Sequence, residues 1–428
     1  MRSKVGVSLT GACLWLVAAG IPFISVSGFG ADLVEPSRLR EVVKKAAPGA
    51  VILVKDGTYV DQVIEIEGKG EETQPIVIRS ETPGGVIFTG KSGIELKGSG
   101  LVFEGFWFAK GQAPEKYVIA IDGTHCRLTN TVIDSYNPAD LEGREDKWVS
   151  LKGQYLVVDH CTFHDKRSKS VTLTVWRTPG VPDHHTIELN HFHVRPRGNG
   201  GNGYETIRIG TSEESESDSL TTVRSNLFEQ CDGEMEAVSV KAGNCHIHDN
   251  TFSECAGTLT LRHGNGSRVE KNLFSGKRKE GTGGVRVYGV GHSVTGNAFI
   301  GLTGRGGAAL SLMAGEKSPK LSGFQPVENV RIEGNLFAAN VGPAIRLDEQ
   351  YGDGRVVLPK SVAVRANVLS GSDLQGLVAG GDRPGVAMVW EQNQIFSGNQ
   401  IPASVTSAIS PPLTADDVGA PWFRDRVR

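Results

Sequence analysis

Short runs of β-branched and aromatic residues, broken by glycine, asparagine or aspartate, fill the chain from Val51 onward, as in Val51-Ile-Leu-Val54, Ile76-Val-Ile78, Val86-Ile-Phe88 and Leu101-Val-Phe103. Runs of this length between turn residues predict strands. One segment follows a different period. From Ser37 to Ala47, the residues Leu39, Val42, Val43 and Ala46 share a helical face and Pro48-Gly49 supplies a stop, so one helix is expected ahead of an all-β body.

The strands repeat. A β-branched residue, two variable residues, Asn, any residue and an apolar residue recur from Val223 to Phe228, Ile247 to Phe252, Val269 to Phe274, Val294 to Phe299, Ile332 to Phe337 and Val364 to Leu369. Earlier copies carry Asn130 in degenerate form, Cys161 and Asn190 at the central position. From Asn226 the steps to Asn250, Asn272, Asn297, Asn335 and Asn367 are 24, 22, 25, 38 and 32 residues. A step of 22 to 25 is one turn of a solenoid, and the longer ones carry insertions on one side. The period is short for a propeller blade and lacks the leucine pattern of a leucine-rich repeat. The expected fold is a single-domain right-handed parallel β-helix, with the short helix covering its open N-terminal end. Its asparagines are read as structural: they suit left-handed bends, and their amides can form a ladder from coil to coil while the phenylalanines stack inside. The β-helix is assigned to residues 31–400. A proline-containing tail, 401–428 with Pro402, Pro411, Pro412 and Pro421, is expected to pack along the outside or over the C-terminal end.

Composition narrows the functional classes. The 428 residues include 45 basic and 48 acidic side chains, a net charge of −3, which gives no basic field for a nucleic acid. Arg2 and Lys4, the apolar run from Val5 to Val26 and the small residues from Gly28 to Ala31 predict an export signal over residues 1–30. Pro22 weighs against a membrane anchor, and the early place of Cys13 against lipidation. The mature chain would then be secreted or periplasmic, free of the membrane, with Cys126, Cys161, Cys231, Cys245 and Cys255 in an oxidising compartment. Cys231 and Cys255 each follow a ladder asparagine by five residues, which places them one strand apart, either bonded or as stacked free thiols.

Chemistry on a filled solenoid belongs on its outer face. Alternation turns Val238, Val240, Leu259, Leu261, Val285 and Val287 inward and sends Ala237, Ser239, Lys241, Arg262, Arg286 and Tyr288 outward. Spacings of 21 and 24 residues predict that Lys241, Arg262 and Arg286 stack in one column. Like charges so stacked are destabilising unless a ligand needs them. Glu234 and Glu236 face outward just before Lys241, and such a pair accommodates a cation with oxygen ligands.

Asn202-Gly-Tyr-Glu-Thr-Ile-Arg-Ile-Gly210, the stretch from Asn226 through Glu234-Met-Glu236 to Lys241, and Leu261-Arg-His-Gly264 resemble the polysaccharide lyase family that contains alginate lyases and chondroitinase B. Turn runs such as Lys55-Asp-Gly-Thr-Tyr59 resemble its first coils, while Tyr204 stands where a smaller residue is expected. The resemblance implies Lys241 as base and Arg262 as acid, with Ca²⁺ held by Asn202, Glu234 and Glu236. Such an enzyme removes the C5 proton of a uronate, and neutralising the adjacent carboxylate is the main task. A lysine acts as base only when neutral. A guanidinium rarely gives up its proton, so Arg262 is read as stabilising the leaving oxygen, with proton delivery by water, Tyr288 or His263 left open. Arg286 is expected to clamp a second carboxylate, and Arg208, His263 and Tyr288 complete the candidate substrate-binding set. The implied partner is an anionic polysaccharide, alginate first. Dermatan or chondroitin sulfate, or a noncatalytic polysaccharide-binding β-helix, are the alternatives.

Overall fold

In the computed structural model, which describes residues 33–371, 376–398 and 411–426, the repeat is one coil of a parallel β-solenoid. The export signal, Cys13 and Pro402 lie outside the described residues. Three parallel sheets of 13, 13 and 12 strands run along the molecule, and successive coils contribute a strand to each in turn except the last, which joins only the first two, so the described residues form the expected all-β solenoid in about 13 turns. Among the described residues no helix is long and apolar enough to cross a membrane.

The repeat unit folds this way because its two invariant features stack on themselves. Phe163, Phe192, Phe228, Phe252, Phe274, Phe299 and Phe337 form a continuous interior pile with centroids 4.5 to 5.0 Å apart. Beside it runs the amide ladder. Asn250 Oδ1 accepts from both the backbone N–H and the Nδ2 of Asn226 at 3.0 Å, and its own Nδ2 donates to Asn272 Oδ1 at 2.9 Å. The same bonds join Asn190 to Asn226 and continue through Asn297, Asn335 and Asn367 to Asn393. Asn393 escaped the sequence pattern because Trp390 replaces its β-branched residue. Buried amides are tolerated here because each is bonded on both sides.

Two details of the repeat are corrected. The left-handed bend is made by the residue before each ladder asparagine, as in Ser225 (φ 52°), Asp249 (φ 54°) and Lys271 (φ 53°). That bend turns the following side chain inward, where its amide meets the next coil. In the degenerate copy Asn130 is itself the bend (φ 49°), and Leu128 pairs with Val158, so Thr131 holds the ladder place matched by Cys161.

The expected helix is a 3₁₀ turn, Pro36–Arg38, running into an α-helix, Leu39–Lys45. Leu39 and Val43 are fully buried in the same core as Ile52, Val54, Ile64 and Ile66 of the first coil. The C-terminal tail packs along the outside. Leu413 N–H donates to Thr251 Oγ1 (2.9 Å), Gly419 N–H to Leu189 O (2.8 Å), Ala420 N–H to Thr162 Oγ1 (3.0 Å) and Trp422 Nε1–H to Asn130 O (3.1 Å). It therefore descends toward the N-terminal coils, where Phe423 packs on Val132 and Trp107. The five described cysteines are free and buried. Glu229 pairs with Ser253, so Cys231 and Cys255 occupy matching places in adjacent coils as expected, as neighbouring thiols.

Candidate active site

The outer face of the third sheet carries an open groove of about 970 Å³. Its floor comes from the strands Ile207–Ile209, Glu236–Lys241, Thr258–His263 and Val285–Val287. Val238, Val240, Leu259, Leu261, Val285 and Val287 turn into the core as alternation predicts. All nine sequence-selected residues, Asn202, Arg208, Glu234, Glu236, Lys241, Arg262, His263, Arg286 and Tyr288, line this one groove.

The single column of cations is corrected. Leu261 pairs with Val287, so Tyr288 follows Arg262, while Arg286 continues a neighbouring file through Arg208, Ser239 and Thr260. A register irregularity between Val240 and Lys241 also sets His263, rather than Arg262, beside Lys241. The cause is coil length: 26 residues separate the paired Thr260 and Arg286, so the 24-residue spacing from Arg262 is not a register step. The cations consequently surround the groove from two files, which lessens the repulsion that one column would carry.

Arg262 is held rigidly. Its guanidinium lies over the neighbouring rings of Tyr288 and Phe324, 4.9 and 4.8 Å from their centroids, and donates to Gly323 O at 2.8 Å and Ser322 O at 3.2 Å. Phe324 belongs to the insertion between Asn297 and Asn335, where Gly315–Glu316 pairs antiparallel with Arg355–Val357 to build a wall of the groove. Burial lowers the Arg262 pKa, but an arginine stays charged in this setting. Burial, helped by the charges of Arg262 and Lys241, holds His263 down at about 3, so its ring is neutral. Tyr288 is fully buried, which pushes its pKa up, and its hydroxyl accepts from Arg286 at 2.9 Å.

At the other end of the groove the carboxylates gather. Glu234 Oε2 accepts from the Tyr204 backbone N–H at 3.0 Å. Burial, then the neighbouring charges of Glu205 and Glu236, push the Glu234 carboxyl up to about 7. Glu205 is buried with Oε2 lacking any partner among the described residues. Glu236 accepts from Ser239 and lies 3.9 Å from Arg286. The chain passes this closely because Gly233 has no side chain: a Cβ there would lie 2.1 Å from the Tyr204 carbonyl oxygen. Tyr204 is buried despite its size, its ring under the Arg195 guanidinium at 5.1 Å and its hydroxyl bonded to Glu142. Arg195 also donates to the carbonyls of Lys166, Ser168 and Ser170 at 2.8 to 2.9 Å, tying the two loops together. Three neighbouring carboxylates, one with an orphaned buried oxygen, and the Asn202 amide lining the same groove are hard-oxygen donors of the kind that Ca²⁺ takes.

Sequence reasoning passed over Glu205. It shares parity with the inward Ile207 and Ile209, but the strand begins only at Ile207, so alternation does not govern it. Its place in the quoted Asn202 to Gly210 stretch was the available signal. Lys147, Lys169, Arg197, Arg305 and Arg355 were also missed; they bring the lining to nine cations against four carboxylates.

Fold and site together define a class: parallel β-solenoids with a cation-rich surface groove beside partly buried carboxylates. The family model described as Chondroitinase B matches residues 34–380. The chain belongs to that family, the polysaccharide lyase family PL6. Among solved structures, the PL6 family alginate lyase AlyGC is 33% identical with a TM-score of 0.84, the match covering 91% of this chain and 58% of that one. The chain thus spans less than two thirds of AlyGC. A mannuronic acid specific polysaccharide family 6 lyase from human gut microbiota is 27% identical over 92% of this chain and 97% of that one, TM-score 0.81. The PL6 polysaccharide lyase Pedsa3628 from Pseudopedobacter saltans is 25% identical over 91% and 98%, TM-score 0.82. A search of curated proteins returned no match.

Proposed function

We propose that the chain is a polysaccharide lyase that cleaves alginate by Ca²⁺-assisted β-elimination, acting outside the cytoplasm through its 31–400 solenoid. The observation that carries this reading is that the buried Glu205 and Glu234 and the half-buried Glu236 share with Lys241 and Arg262 a groove that nine cations line, on a chain whose net charge is −3. A polyuronate bears a carboxylate on every sugar, and concentrated positive charge in a cleft draws in such a polymer. Asn202, Glu234 and Glu236, with Glu205, would hold Ca²⁺, which when bound offsets negative charge developing on the uronate carboxylate. Lys241 Nζ takes the C5 proton. The C5–H electrons become the C4=C5 bond, and the C4–O4 bond breaks with its electron pair on the leaving oxygen. Arg262, held over two rings and by two carbonyls, stabilises that oxygen without reorganisation. The proton returns to it from solvent or from Tyr288, whose own proton burial retains. Arg286 and Arg208 bind carboxylates of neighbouring sugars.

The names of the relatives at 33% and 27% identity support alginate. The family model's description, Chondroitinase B, supports a chondroitin or dermatan sulfate lyase as the second reading. Incubation with polymannuronate, polyguluronate and dermatan sulfate, followed by ultraviolet absorbance of the unsaturated uronate, tests both. Rising absorbance on an alginate block is expected. Rising absorbance on dermatan sulfate alone selects the second reading, and polymer binding with no absorbance change in Ca²⁺ refutes catalysis.

A further inference from the structure

On the second sheet, away from the strands of the groove, adjacent coils bring together three side chains that the proposed reaction does not use. His191 and His193 lie two apart on the strand His191–Arg195, with Phe192 stacked inside the core between them, so both rings leave the outer face. On the next strand, Leu227–Cys231, Glu229 pairs in register with His193. His191 Nε2 is hydrogen-bonded to Glu229 Oε2 at 3.1 Å, His193 Nε2 lies 3.7 Å from the same oxygen, and one ligand atom from each of the three residues falls within 4.8 Å of the other two.

His193 has no hydrogen bond at either nitrogen among the described residues. Nδ1 is buried without a partner, and 3.7 Å at Nε2 is too long for one. Its neighbour His164, stacked at 5.1 Å, has its Nδ1 engaged with Asp134 at 2.8 Å. Another His-x-His strand gives a contrast: His246 is bonded to Glu270 and His248 to Asp249, each at 2.6 Å, so both rings there have a partner.

We infer that His191, His193 and Glu229 form a transition-metal site, best matched to Zn²⁺. Two imidazoles and one carboxylate are a common ligand set for this ion, with a fourth position left to water. Bonds of about 2.1 Å at tetrahedral angles separate neighbouring ligand atoms by about 3.4 Å. That value lies between the 3.1 and 3.7 Å found here. Glu229 keeps 32% of its side-chain surface exposed and gives the ion its entry. The nitrogen donors separate this site from the all-oxygen cluster in the groove, which suits a different ion. The ion would join two coils beneath the tail, since a Cβ on Gly419 would lie 3.0 Å from His191 Cβ.

The test uses the full chain, stripped of metal by a chelator, saturated with Ca²⁺ to occupy the groove, and then titrated with Zn²⁺ by calorimetry and with Co²⁺ by visible spectroscopy. One ion per chain is expected, with the intense visible bands of four-coordinate Co²⁺, and excess Ca²⁺ should not displace it. His193→Ala and Glu229→Gln should each weaken Zn²⁺ binding at least tenfold. Glu229→Gln is isosteric and partly exposed, and circular dichroism is used to check its folding, so the test survives if His193→Ala does not. Zn²⁺ should also slow proteolytic release of the tail. Absence of saturable binding, or equal affinity in wild type and Glu229→Gln, overturns the assignment.

Discussion

Ca²⁺ loading of the groove should depend steeply on pH, because Glu234 must lose a proton to become a ligand. Burial, together with Glu205 and Glu236, holds its pKa at about 7. About one molecule in eleven then carries an ionised Glu234 at pH 6 and about ten in eleven at pH 8, so the apparent affinity should fall about tenfold between them. Calorimetry in two buffers of different ionisation heat counts the protons: about 0.9 released per ion at pH 6 and about 0.1 at pH 8. Glu234→Gln should flatten the pH slope and cut proton release while weakening affinity at pH 8. The same group acts on the metal-free fold with a definite sign. A carboxyl whose pKa is higher folded than unfolded binds its proton more tightly when folded. The metal-free protein should therefore lose stability as pH rises from about 4.5 to about 7, by about 3 kcal/mol in total, and Ca²⁺ should restore it. Ca²⁺ affinity independent of pH, with no proton released at pH 6, would refute the reasoning.

Chelation should abolish turnover and added Ca²⁺ restore it, measured as unsaturated uronate. Lys241→Ala should lower the rate by about a hundredfold or more while polymer binding largely persists; Arg262→Lys should fail to rescue, because an ammonium has no planar fork to lie over Tyr288 and Phe324 while keeping its bonds to Ser322 and Gly323. Asn250→Ala removes the acceptor of the buried Asn226 N–H and breaks the ladder, so denaturant unfolding should reveal a loss of about 2–4 kcal/mol. Thiol titration of the exported chain, denatured without reductant, should find all of Cys126, Cys161, Cys231, Cys245 and Cys255 reactive.

The solenoid was legible because one coil states its own geometry: an asparagine that bonds to the next asparagine and a phenylalanine that stacks on the next phenylalanine must recur at a fixed place. The matching places of Cys231 and Cys255 follow from that register. What alternation could not convey lies where the strands depart from regularity. The irregularity after Val240 moved Lys241 beside His263, and the long coil after Thr260 moved Arg286 into another file. Glu205 sits in the irregular segment just ahead of its strand, where parity has no meaning. Arg355 and Phe324 reach the groove from segments outside the repeat, joined by a short antiparallel pair. The His191, His193 and Glu229 grouping needs contact between coils 36 residues apart, a step that the repeat spacing contains but that single-strand patterns do not display.

A stack of coils resembles a spring, each turn gripped only by those above and below. The tail changes how that spring would carry a load. Its last anchors, Trp422 on Asn130 and Phe423 on Val132, lie in the early coils, and Leu413 grips Thr251 farther along. Tension drawn from the C-terminus thus enters near the opposite end of the molecule and must peel the tail, contact by contact, before it reaches the terminal turns. Those turns, which would otherwise unwind first, bear no force until the strap has come away.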